Sequence, residues 1–190
     1  KDTYAAVIFI RIQKEDTVFV HLLQAKSRVT PIKTLSIPRL ELLAATIAAR
    51  LYKFVSDALS LLTKKNMKSY FWSDSSTVIS WIKREDQWST FVWNRTKEIR
   101  SLTYKEDWRH VPGPLNPADL PSRGCSPKQL LESRWWEGPS WLYSLPENWP
   151  EFDHAILNEH EINAERRKKL IVSMVNYECS YWYTQRFSKY

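Results

Sequence analysis

Thr3 to Ile12 is an almost unbroken run of apolar and β-branched residues and predicts a mostly buried strand. Gln13-Lys14-Glu15-Asp16 is a polar turn, and β character resumes from Thr17 to Ala25, so the two runs predict an antiparallel hairpin. Lys26 to Leu35, with Pro31 inside it, reads as a polar loop. The period then changes. Leu40, Leu43, Ala44, Ile47, Leu51, Phe54, Val55 and Ala58 recur at helical spacing, Ser36 is placed to cap, and Pro38 is tolerated in a first turn. Thr63 to Lys68 is a basic connector. Tyr70 to Asp74 is an aromatic, strand-like run that ends in an acid, and a short apolar helix pattern follows from Ser75 to about Arg84.

Ser89 to Leu102 predicts another helix and Trp108 to Val111 a short strand. Pro112-Gly113-Pro114 must be irregular. Asn116 followed by Pro117 is a helix start with Asp119 in its first turn. Trp135 to Leu142 is an aromatic turn expected to pack a satellite core, and Glu147 to Ala164 reads as an acidic linker. Arg166-Arg167-Lys168-Lys169 is expected to be a solvated turn. Leu170 to Tyr190 is apolar and aromatic and reads as the start of a further element.

Composition narrows what this α/β pattern can do. At 190 residues and 43% hydrophobic, the chain has room for one core plus an appendage. Its three glycines, Gly113, Gly124 and Gly138, exclude a GxGxxG dinucleotide loop and a GxxxxGK[ST] phosphate loop. They also exclude the Asp-Ser/Thr-Gly signature of an aspartic protease. Cys125 and Cys179 have no metal-ligand spacing and do not suggest a disulfide framework, which makes a reducing, intracellular compartment the expectation. No apolar run approaches membrane-spanning length. The net charge of +7 is uneven: residues 1–100 hold 17 Lys and Arg against 9 Asp and Glu, and residues 101–190 hold 11 against 12. A basic half-chain fits either nucleic-acid contact or ordinary solubilising charge.

Inside that basic half lies Asp74, at the carboxyl end of a strand and beside a helix start, where open α/β sheets place ligand chemistry. Asp74 could instead serve the helix N-terminus, although Ser75 and Ser76 can do that job. Glu41 has the same two readings, as a site residue or as an acid complementing a helix dipole, and so does Asp119.

Several stretches, in order, resemble one family. They are Tyr4-Ala5-Ala6-Val7-Ile8-Phe9, Ala25-Lys26-Ser27-Arg28-Val29-Thr30-Pro31, Ile37-Pro38-Arg39-Leu40-Glu41-Leu42-Leu43-Ala44-Ala45 and Phe71-Trp72-Ser73-Asp74-Ser75. Further along come Phe91-Val92-Trp93-Asn94-Arg95, Trp108-Arg109-His110-Val111-Pro112-Gly113, Asn116-Pro117-Ala118-Asp119-Leu120-Pro121-Ser122-Arg123-Gly124, and Trp135-Trp136-x-Gly138-Pro139-x-Trp141-Leu142. Together they resemble the ribonuclease H domain of BEL/Pao-type LTR retrotransposon polyproteins over roughly residues 1–150, with 151–190 as a connector towards the integrase part.

The resemblance implies a ribonuclease H-like α/β fold, a mixed five-stranded sheet flanked by helices. It implies cleavage of the RNA strand of an RNA–DNA hybrid during reverse transcription, with two Mg²⁺ ions held by acids. By position those acids are Glu41, Asp74 and Asp119. Lys26, Arg28, Lys33, Arg39 and Arg95 are the expected nucleic-acid contacts. The partners it implies are the hybrid and the reverse transcriptase and integrase parts of the same polyprotein, in a cytoplasmic particle or the nucleus.

The chain also departs from the family. The first acid of such sites lies on the central first strand, in a segment that would fall just before Lys1, so the expected fold lacks that strand and the chain reads as a fragment. Asp2 is out of register to replace that acid, and a one-residue slip already reverses the face to which a strand side chain points. His110 lies on the strand, before the loop in which many ribonuclease H enzymes carry a mobile histidine, and a structural role is expected for it. Alanine stands at position 5, where glycine is frequent. Three functions therefore stay open: a two-metal nuclease, a catalytically inactive remnant that binds nucleic acid, and a polyprotein connector.

Overall fold

The computed structural model describes residues 3–32, 34–62, 67–133, 135–151 and 157–167. Asp2, Lys33, Cys179 and the run from Leu170 to Tyr190 lie outside the described residues. The first two elements are the hairpin strands β1 (Thr3–Lys14) and β2 (Thr17–Val29), paired antiparallel from Thr3 opposite Val29 to Lys14 opposite Thr17. Glu15 turns the corner with φ 52°, a left-handed conformation tolerated because the two-residue loop must match the strand twist. The register shifts between Ile8 and Phe9, a bulge in the pairing.

β2 runs through Lys26, Ser27, Arg28 and Val29, which the sequence pattern placed in a loop. Ala6, Ala5, Tyr4 and Thr3 pair with these residues in turn, and all four are exposed. Their polarity reflects an outer strand facing solvent, not an absence of strand.

Helix α1 (Ile37–Leu62) follows, with the Leu40 amide donating to the Ser36 carbonyl at 3.1 Å. Its buried side is made by Leu40, Leu42, Ala45, Thr46, Ile47, Ala49 and Leu51, with Leu43 only half-buried and Phe54 exposed. The buried face is thus broader than the predicted stripe, because α1 packs on β1 on one side and on a second helix on the other. The short strand β3 (Phe71–Ser73) lies parallel to β4 (Trp108–His110) in the register Phe71–Trp108, Trp72–Arg109, Ser73–His110. Between them come α2 (Ser76–Lys83) and α3 (Thr90–Leu102). The Arg100 guanidinium closes the end of α2 by donating to the carbonyls of Ile82 at 2.8 Å and Arg84 at 2.6 Å, satisfying acceptors the helix cannot satisfy itself.

After β4 the chain forms α4 (Asp119–Arg123), α5 (Pro127–Glu132) and α6 (Glu159–Ala164). α5 opens with a capping box in which Ser126 and Gln129 bond each other's backbone amides. α4 starts at Asp119, two residues later than Asn116-Pro117 suggested. The Asn116 Oδ1 instead accepts from the Ala118 amide at 3.0 Å, a side-chain turn that delays the helix.

The core gathers Leu42, Ala45 and Ala49 of α1 with Phe71, Val78, Trp81, Ile82, Val92, Ile99 and Trp108. Ile162 of α6, fully buried, belongs to it as well. So the stretch expected to be a linker contributes to the core, and polar ties hold it there. The Trp81 indole donates to the Ile162 carbonyl at 3.1 Å, the Ser89 amide to the Glu165 carbonyl at 2.7 Å, and the Arg167 amide to the Gln87 carbonyl at 2.8 Å. Arg39 grips Glu165 with two nitrogens at 2.6 and 3.0 Å, and the Ser89 hydroxyl donates to the same carboxylate. The bonds from Arg39, together with that from Ser89 and the Arg39 charge, hold the Glu165 carboxyl below its ordinary value near 4.5 against the opposing effect of burial.

In the aromatic turn at Trp135–Leu142, Trp141 packs against Trp72 and Trp149, whereas Trp136 is exposed. Gly138 sits at φ 76°, where a Cβ would come within 3.0 Å of Val20 Cγ1 and 3.1 Å of Phe9 Cδ1, so the turn lies tight on the hairpin only with glycine there. No helix among the described residues is long and apolar enough to cross a membrane.

Two tests follow from the packing of α6. Ile162→Ala removes a fully buried side chain and is expected to cost about 2–4 kcal/mol in urea unfolding. A loss below about 0.5 kcal/mol would mean that 157–167 is not part of the folded unit. Glu165→Gln is expected to cost about 1–2 kcal/mol at neutral pH. The Glu165 pKa is lowered in the fold, so its contribution is complete above the ordinary value near 4.5 and disappears as pH falls through the folded value. The stability difference between wild type and Glu165→Gln should therefore shrink on acidification; a constant difference from neutral to strongly acidic pH would show that the charge on Glu165 is not what stabilises.

Candidate functional site

The four strands do not form one sheet. Among the described residues they form two separate pairs, β1 with β2 and β3 with β4. Between β1 and β3 lies a cavity of about 1220 Å³. β1 lines it from Thr3 to Gln13, the segment from Met67 to Asp74 lines it opposite, and Leu40, Ala44, Ala45, Ala48 and Tyr52 of α1 close one side. Alternation along β3 sorts the two faces. Phe71 points toward α1, edge-on to Tyr52 at 5.0 Å and stacked on Trp108 at 5.1 Å. Trp72 points the other way, 4.8 Å from Trp141, with Trp149 at 6.0 Å.

Glu41, Asp74 and Asp119 all border this one cavity. Asp74 immediately follows β3 and is half-buried. The cap of α2 is Ser75, whose side chain accepts from the Val78 amide at 3.2 Å, so the helix does not need Asp74. Glu41 is the fifth residue of α1, past the first turn in which a carboxylate best complements the helix dipole. Asp119 opens α4 and pairs with Arg123 at 2.9 Å. α4 is in turn tied to the hairpin, where the Thr3 hydroxyl donates to the Ser122 carbonyl. Three acids from three elements thus face one space.

Carboxylates are hard oxygen donors of the kind Mg²⁺ takes. Among the described residues no group of three or more His, Cys, Asp and Glu is gathered closely enough to hold an ion.

The expected nucleic-acid contacts divide in two. Lys26 and Arg28 are exposed on the outer strand β2. Arg39 and Arg95 serve the fold. Arg39 is spent on Glu165 and lies over the Phe91 ring at 4.9 Å. Arg95 covers the same ring at 3.6 Å and donates to the Phe91 carbonyl at 2.9 Å, and burial lowers its pKa. Arg28 also borders a second, smaller cavity with Arg50, Arg95 and Glu98, where Arg50 and Glu98 pair through two hydrogen bonds.

Sequence reasoning missed Glu165 as the partner of Arg39, and Arg109, whose guanidinium lies 4.7 Å from the Tyr70 ring centroid and beside Trp72. The alternation of Arg109 between buried Trp108 and His110 was the available signal for the second. His110 is buried on β4 opposite Ser73, as a structural histidine would be.

The searches for matching curated proteins and for matching solved structures returned none. A family model, described as the Pao retrotransposon-like RNaseH-like domain, matches residues 1–75. That span takes in β1, β2, α1 and β3 with Glu41 and Asp74, and stops before Asp119. The mixed α/β architecture with an incomplete sheet is consistent with a Pao-type RNase H-like domain over that span, to which residues 1–75 are similar.

Proposed function

We propose that the domain acts on RNA–DNA hybrids as a ribonuclease H during reverse transcription, with Glu41, Asp74 and Asp119 as its acidic site and Mg²⁺ as its cofactor. The observation that carries this reading is the convergence of these three acids, from α1, the end of β3 and the start of α4, on one cavity. The family-model match over residues 1–75 supports it, since both Glu41 and Asp74 fall within the matched span. The reverse transcriptase and integrase parts of a shared polyprotein are the partners this reading carries with it.

A second reading, nucleic-acid binding without cleavage, is favoured by a different observation: the acids are not gathered into a metal-holding group among the described residues. On that reading Lys26 and Arg28 of the exposed outer strand would meet phosphates.

Two measurements separate the readings. Hybrid cleavage in Mg²⁺ by the polypeptide extended upstream of residue 1 should fall at least about a hundredfold in Asp74→Asn, the upper end of what losing even an outer-shell partner costs. Asp57→Asn, which alters an exposed acid paired to Lys53, should leave the rate unchanged. An undiminished rate in Asp74→Asn removes Asp74 from the site. Hybrid affinity of the 190-residue chain should weaken with rising salt as counterions are released. Lys26→Ala and Arg28→Ala should each reduce the slope of log affinity against log salt by about 1. A salt-independent affinity would rule out phosphate contact by this face.

A further inference from the structure

We propose that the smaller cavity, bordered by Arg28, Arg50 and Arg95, is a pocket for one doubly charged phosphate group: a phosphomonoester, carried by the end of a nucleic-acid strand or by a free mononucleotide. The pocket is separate from the acidic site, since Glu41, Asp74 and Asp119 border the other cavity.

Four elements build it. Tyr4 of β1 and Arg28 of β2 stand directly opposite each other in the hairpin ladder, so their side chains share one face of it. Arg50 comes from α1, and Arg95 and Glu98 come from α3. Leu43 and Ile47 of α1 add an apolar lining, which strengthens any charge interaction made beside it. At about 370 Å³ the space lies at the small end of the ~300–1,000 Å³ typical of ligand sites.

The charge balance selects the ligand. Three guanidiniums face one carboxylate, and that carboxylate is already held: Arg50 donates to Glu98 from Nε at 2.5 Å and from Nη2 at 2.9 Å. Among the described residues neither Arg28 nor Arg95 pairs with an acid. Two positive charges therefore stay uncompensated. A backbone phosphodiester brings one negative charge per phosphate, whereas a phosphomonoester brings close to two at neutral pH, on three acceptor oxygens.

One of the two cations is fixed before a ligand arrives. The Arg95 guanidinium lies 3.6 Å from the Phe91 ring centroid, and its Nη1 donates to the Phe91 carbonyl at 2.9 Å. The rest of its planar fork is left for an anion. Burial works against the Arg95 charge and lowers its pKa, a cost that an anion beside it offsets. Glu98 shows how the seat is used, with two carboxylate oxygens on one guanidinium as two phosphate oxygens would sit. It also limits affinity, because its like charge repels the ligand.

The test measures binding of short single-stranded DNA to the 190-residue chain at fixed salt, with a 5′-phosphate or a 5′-hydroxyl on the same sequence. The phosphorylated strand should bind about tenfold or more tightly, as charge-assisted hydrogen bonds allow, and inorganic phosphate should compete away the difference. Arg28→Gln, at an exposed position, should abolish the preference and leave the unfolding midpoint unchanged. Glu98→Gln should strengthen binding of the phosphorylated strand by about two- to fivefold, the effect of removing one charge at a partly exposed site.

Equal affinity for the two strands overturns the proposal. So does an Arg28→Gln variant that weakens both strands alike, because Arg28 would then meet backbone phosphodiesters only. Weaker binding in Glu98→Gln overturns it as well, since Glu98 would then build the pocket instead of competing in it. A 5′-mononucleotide that binds as tightly as the phosphorylated strand upholds the pocket and makes a free phosphomonoester its ligand. Hybrid cleavage enters none of these readouts, so the pocket and the nuclease reading stand or fail separately.

Discussion

A backbone amide or carbonyl that folding removes from water must find a partner, and that requirement decides what can be built around β1 and β3. Each strand has one edge bonded and one edge facing the same space. A sheet is ordinarily what carries order from one end of an α/β domain to the other. Among the described residues that continuity is interrupted, and another contact keeps the two strand pairs together. α1 does so. Its apolar surface packs on β1, on α3 and, through Tyr52, on Phe71 of β3, so one long helix spans the gap that hydrogen bonds do not.

The core sits accordingly to one side. The main core cluster draws its side chains from α1, α2, α3, β3, β4 and α6 with Trp88, and β1 takes no part in it, although Ala5 and Ala6 of β1 and Val20 of β2 are buried elsewhere. On this side charged side chains tie the elements together, as the grip of Arg100 on the end of α2 and of Arg39 on Glu165 illustrates. On the other side Val7, Ile8, Phe9 and Ile10 are only half-buried. The hairpin is held by α1, by the aromatic turn that Gly138 allows to lie close, and by the bond from Thr3 to Ser122.

Strands and helices with a strong period were legible in the sequence: the hairpin, α1, the strand at Phe71–Ser73, and α2 with Ser75 at its cap. Legibility failed where a tertiary contact outweighed local composition. Lys26 to Val29 look like a loop because they are polar, yet pairing with Thr3 to Ala6 makes them strand. Residues 157–164, within the expected linker Glu147 to Ala164, look like linker because they are mostly polar. Ile162 and Leu157 anchor them in the core, Glu159 pairs with Arg84, and Glu165 just beyond pairs with Arg39. The candidate acids were legible individually, as carboxylates at element ends. Their spatial relation was not, because it depends on how the two strand pairs approach each other, and no local pattern encodes that.

The same dependence explains why the acids share a cavity without forming a cluster. Glu41 and Asp74 stand on α1 and at the end of β3, both fastened to the main core. Asp119 stands on α4, which packs on the hairpin and is tied to β1 at Ser122. The distance from Asp119 to the other two is therefore a property of the junction between the two halves, not of any one element. Whatever sets the separation of β1 from β3 also sets the geometry of the acids. A substitution in the cavity wall, at Ala44 or Trp72, can change that geometry without touching a carboxylate.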